Sequence, residues 1–179
     1  MPISLISLLM FLGLAQQRPT WRDEVPRTWG PMNEGWRVGV FSEKQQYVEG
    51  EPTDVVIKAR NETGARLEVS LIKSPWITAS RMVVIRVSDN QVMHIKPPHD
   101  MFDRLRRHSS GASTFFVDPG GFAYCGTIDL QAIFELGVGE YSITVHYYLP
   151  NSPGAALVPS NPLMITVRPA EPPRLRKGT

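Results

Sequence analysis

The residues best equipped for chemistry are the four histidines and the single cysteine, and their spacing sets what they could do. His94, His99 and Asp100 fall within the stretch HIKPPHD, with His108 a short way on. Two imidazoles and a carboxylate are a ligand set for a divalent metal such as zinc, and the matching activity would be metal-dependent hydrolysis. The spacing fits no recognised zinc pattern, and Pro97 and Pro98 leave the ring directions unset, so no metal is expected and these three stay as weak candidates. His108 beside Ser109 is not a nucleophilic pair, because a hydrolase serine needs a strained elbow such as G-x-S-x-G or partners supplied by the fold, and that elbow is absent. Cys125 in FAYCGTIDL has no basic neighbour to lower its thiol pKa. It reads as a small core residue sharing a strand face with Ala123 and Thr127. As the only cysteine, it excludes an intrachain disulfide. No P-loop, dinucleotide fingerprint, zinc-finger spacing or paired-carboxylate motif occurs, so the chain is read as no enzyme, with no cofactor.

The elements that would hold these residues are strands. Hydrophobic residues make up 42% of the 179 residues and charged ones 20%, an ordinary globular balance, and the net charge of +2 is too weak a field to imply nucleic acid. Apolar residues alternate with period two at Val38 and Val40; at Val55, Ile57 and Ala59; and at Leu67, Val69 and Leu71. They alternate again at Val83, Ile85 and Val87; at Tyr141, Ile143, Val145 and Tyr147; and at Leu163, Ile165 and Val167. Turn residues separate the runs: Gly50 and Pro52, Asn61 and Gly64, Asp89 and Asn90, and Pro119 before two glycines. Only DLQAIFEL has helical spacing, with Leu130, Ile133 and Phe134 on one face of a short helix or turn. The expected fold is all-β, an antiparallel β-sandwich of about seven to nine strands with little helix.

The ends of the chain differ from this body. Residues 1–15 carry an apolar run closed by Gly13 and Ala15, the pattern of a cleavable export signal, or of a short N-terminal anchor if it stays attached. The expected location is therefore extracytoplasmic, periplasmic or secreted. Residues 16–34 form a polar, proline-containing lead-in with Trp21 and Trp29 as its large apolar groups, residues 35–168 form the domain, and residues 169–179 form a flexible basic tail. Within the domain, Pro97–Ser113 interrupts the strand rhythm with charges and prolines. Trp21, Trp29, Phe102, Arg104, Arg106 and Arg107 lie in segments that a β-sandwich does not need, and so are the candidates for contact with a partner. In GVGEYSITVHYYLP, Gly139 permits a tight turn and Tyr141, two residues later, is placed to form a tyrosine corner, a scaffold role. Asn61-Glu62-Thr63 fits the N-glycosylation sequon.

The order of motifs resembles a known family. YVEGEPTDVVIKARNETG, VVIRVSDNQVM, FVDPGGFAYCGTIDL, GVGEYSITVHYYLP and NPLMITV are similar to segments of immunoglobulin-like β-sandwich modules of exported bacterial proteins. The looser similarity is to the intracellular proteinase-inhibitor domain. The resemblance runs from about Trp36 to Arg168, with Asp129 and Leu130 at its Asp-Leu step. Gln91 stands where a hairpin glycine is usual, and Val138-Gly139 stands where Pro-Gly is usual. It implies the fold more than the activity, because such modules serve as binding, spacer and accessory domains. The expected function is an exported, non-catalytic binding or structural module, an accessory subunit contacting a protein or polymer partner in an extracytoplasmic or membrane-associated assembly. A protease-inhibitor-like domain is the alternative.

Overall fold

The computed structural model describes residues 22, 24–72, 81–96, 112–148 and 157–171. They are mostly β, and all strand pairs but one are antiparallel. The first sheet places β3 (Asp54–Asn61) between β1 (Trp36–Ser42) and β8 (Phe122–Asp129). In the second, β2 (Gln46–Val48), β11 (Leu163–Arg168), β9 (Gly139–Tyr148), β5 (Met82–Arg86) and β6 (Gln91–Val92) follow in that order, and β10 (Leu157–Pro159) also pairs with β9. The exceptional pair is β2 with β11, which is parallel. A separate ribbon joins β4 (Leu67–Ile72) to β7 (Ala112–Val117).

One hydrophobic core spans the sheets. Trp36, Val38 and Val40 of β1, Val55, Ile57 and Ala59 of β3, and Ala123, Cys125 and Ile128 of β8 share it with Tyr141, Ile143, Val145 and Tyr147 of β9. Ile165 and Val167 of β11, Val69 of β4 and Val117 of β7 complete it. The alternation read from β3, β9 and β11 gives these core-facing residues directly, because side chains alternate between the two faces of a strand; on β3 the outward Val56 and Lys58 are buried as well.

Two strands depart from the expected phase. On β5 the buried residues are Met82 and Val84, while Val83 and Ile85 are half-buried and Val87 is exposed. MVVIRV is apolar on both faces, so only pairing fixes its phase: Met82 lies opposite Val145 and Val84 opposite Ile143. On β8, Thr127 does not share the face of Ala123 and Cys125. The register with β3 shifts between Ile57 and Lys58, a bulge that gives β8 one extra residue and brings Ile128 inward instead. Thr127 turns to the other face, where its hydroxyl lies 2.6 Å from that of Tyr124.

Polar residues tie the elements together. Helix α1 (Leu130–Ile133) is a single turn whose cap, Asp129, accepts from Gln131 N–H at 3.1 Å and from Thr53 N–H at 2.9 Å. Leu130, Ile133 and Phe134 are buried beneath it. Asn161 closes the edge of β1 as a peptide group would: its Oδ1 accepts from Val40 N–H at 2.9 Å and its Nδ2 donates to Val40 O at 3.1 Å. Asn61, fully buried, donates Nδ2 to Ala65 O at 2.8 Å and to Val117 O at 3.0 Å, so in the folded domain its amide is not open to glycosylation. In the β5–β6 hairpin, Asn90 takes the left-handed conformation, φ 57°, just before Gln91 at the usual glycine position.

The lead-in belongs to the folded unit from about residue 24, earlier than the expected start at residue 35. Pro26 and Gly30 are buried, and Gly30 N–H donates to Val38 O at 2.9 Å. The segment reverses into β1 through Glu34 and Gly35, and Asn33 and Trp36 exchange backbone hydrogen bonds of 2.9 Å across that turn. Residues 1–15, the tail beyond residue 171 and the 97–111 part of the loop excursion lie outside the described residues.

Candidate functional site

The outer face of the β1–β3–β8 sheet combines charge, aromatic surface and a strapped-on chain segment. Lys58 points away from the core, since its neighbours Ile57 and Ala59 point in, yet it is only 2% exposed. Its Nζ donates to Glu24 O at 2.6 Å and sits 4.9 Å from the Phe122 ring centroid and 5.5 Å from that of Phe41. A buried ammonium survives only where partners replace its water, and the Glu24 carbonyl and the faces of Phe122 and Phe41 are among those that do so here. Val56, on the same face of β3, is fully buried as well.

The segment that covers this face is the arm formed by residue 22 and residues 24–33. Gly39 of β1 is its seat: a Cβ there would lie 2.7 Å from Pro26 Cγ and 3.1 Å from Trp29 Cε3. Gly30 enters a second slot, where a Cβ would meet Pro159 O at 2.1 Å. Arg22 pairs with Asp54, Arg37 Nη1 donates to Gly30 O at 2.9 Å, and Asn33 Nδ2 donates to Leu157 O at 3.1 Å. Beyond the arm, Phe122 and Tyr124 continue the face on β8 as exposed aromatics, 44% and 47% accessible. Beside it, a groove of about 880 Å³ opens between Glu24–Thr28 of the arm, the end of β1 with its connection to β2, and Asn161–Met164. Its charges are mixed, with Glu24 and Glu43 against Arg27 and Lys44.

The residues singled out from sequence fall elsewhere. Trp29 is half-buried and lies over Gly39, so it is an anchor to its own domain. Trp21, Phe102, Arg104, Arg106, Arg107, His99 and Asp100 lie outside the described residues. His94 is exposed, and among the described residues no group of three or more His, Cys, Asp or Glu side chains is placed to hold a metal. Tyr141 is fully buried and its hydroxyl donates to Gly137 O at 2.9 Å, four residues upstream, with Gly139 between them. Cys125 is buried against Tyr147; desolvation pushes its thiol up to about 12 and raises the Tyr147 phenol as well, so neither ionises near neutrality. Lys58, Gly39 and Phe122 carry the outer face, and sequence reading passed over all three. The signal available was a lysine and a glycine at outward positions of otherwise apolar strands, which shows no purpose until the arm is in place.

No protein-family model matches the chain, and no curated protein matches its sequence at a significant level.

Proposed function

We propose that this chain is an exported, non-catalytic binding or structural module with an immunoglobulin-like sandwich, acting as an accessory subunit that contacts a protein or polymer partner outside the cytoplasm. The sandwich reading is supported by the tyrosine corner at Tyr141, by the first strand's division between the two main sheets as β1 and β2, and by the single shared core. The export reading rests on the apolar run of residues 1–15. Membrane association would come through the partner or a retained N-terminus; no helix among the described residues is long and apolar enough to cross a membrane.

The observation that carries the binding reading is the outer face of the three-stranded sheet, where exposed Phe122 and Tyr124 lie beside an arm whose Glu24 carbonyl accepts from the buried Lys58. Rigid aromatic side chains held beside a fixed scaffold give contact area at low entropic cost, the property of interface anchors. The test is site-specific photo-cross-linking in the native envelope, with the probe at Tyr124 and, as control, at the exposed Val92 of β6 in the second sheet. A discrete adduct from position 124 that is missing from position 92 is expected. Identical patterns from both positions would remove this face as the contact surface.

A further inference from the structure

The arm contacts described above all run to the body of the domain, into positions shaped for them: Pro26 and Trp29 on Gly39, Gly30 against Pro159, and Glu24 O on Lys58 Nζ. The link between arm and body is only two residues long. Glu34 and Gly35 both have positive φ, 50° and 78°, inside a turn closed on each side by the Asn33–Trp36 hydrogen bonds. A two-residue hairpin turn with both φ positive matches strand twist, but its first position favours Asn, Asp or Gly. A glutamate held there is strained, because its Cβ crowds the following carbonyl. The molecule therefore combines a tailored seat, an arm that fits it and a hinge strained only when closed.

From this combination we propose that two copies of the chain exchange arms: residue 22 and residues 24–33 of one copy lie on the outer face of the other, with Glu34 and Gly35 opened into extended chain. The exchanged and closed forms share the same arm contacts, so the balance between them is set by hinge strain, released twice per dimer, against the tether and the 2.8 Å hydrogen bond from Glu62 N–H to Gly35 O that anchors the closed hinge. A short tether holds the arm at an effective concentration of about millimolar or above, so exchange belongs to concentrated protein or to chains confined at a surface. This pairing does not depend on the binding reading of Phe122 and Tyr124, which both forms leave exposed.

The test uses the full chain and leaves Phe122 and Tyr124 unchanged. Two differently tagged populations are unfolded together, refolded at about millimolar concentration, diluted, and analysed by size exclusion with light scattering and by tag co-purification. The expected result is a mixed dimer that persists on dilution and does not form when folded populations are simply mixed. Glu34→Gly, which relieves the closed hinge, is expected to weaken dimerisation roughly tenfold or more. Gly39→Val, which fills the seat in both forms, is expected to give a cooperatively folding monomer whose arm is open to trypsin. A wild-type chain that stays monomeric after refolding, or a dimer unchanged by both substitutions, overturns the proposal.

Discussion

Tyr141 and Cys125 show how single residues set the stability of this domain. Tyr141→Phe removes the donor to Gly137 O and leaves that carbonyl to find water, a loss of about 1 kcal/mol, or roughly 2–4 °C in melting temperature. A calorimetric scan showing an unchanged melting temperature would contradict the corner assignment. Cys125 makes a different demand. Its folded pKa, about 12, lies above its ordinary value of 9.0, and Tyr147 is raised in the same direction. The fold therefore favours the protonated forms. Their contribution is complete below about pH 9 and is lost as pH rises toward 12, so urea midpoints are expected to fall across that window. The native thiol should also resist thiol-reactive reagents at pH 8 and react only after denaturation; rapid labelling of the folded protein would show that it is not buried as described. Tyr141 was legible in sequence because its signal is local, a glycine two residues before a tyrosine that starts an alternating strand. The role of Lys58 was not, since its partners come from residues 24, 41 and 122.

At the scale of elements, the same division between local and long-range causes separates what the sequence displays from what it hides. Strands with one apolar and one polar face, such as β9, show their inward residues through alternation alone. On β5 both faces are apolar and pairing with β9 decides; on β8 a bulge resets the phase after Cys125, and the one local sign of it in FAYCGTIDL is Gly126, whose φ is 142°. The arm is the largest omission. Its prolines and polar residues read as an extended lead-in, whereas Gly39 and Lys58 on other elements give it a fixed course. Lys58→Met keeps the aliphatic stem but loses the charge-assisted hydrogen bond and the cation–π contacts, together worth about 2–3 kcal/mol. The arm should then detach in preference to the sheets. Trypsin cleavage after the exposed Arg27 is expected to accelerate while the sheet amides keep their hydrogen-exchange protection. Uniform loss of protection would instead assign Lys58 to global stability.

For the whole molecule, a shared core closes the sheets. Composition and alternation suffice for the all-β class because they reflect burial averaged over many residues. The outer face emerges only when β1, β3, β8 and the arm are assembled, since Phe41, Lys58 and Phe122 are far apart in the chain. The central claim is that this assembled face is where a partner outside the cytoplasm docks. The most direct measurement is quantitative cross-linking from position 124 in intact envelopes, repeated with Phe122→Ala in the same chain. The account predicts one dominant adduct that falls at least roughly fivefold on loss of the Phe122 ring, the order expected for a contact worth more than 1 kcal/mol. An adduct of equal yield with and without that ring, in a chain whose melting temperature is unchanged, would contradict it.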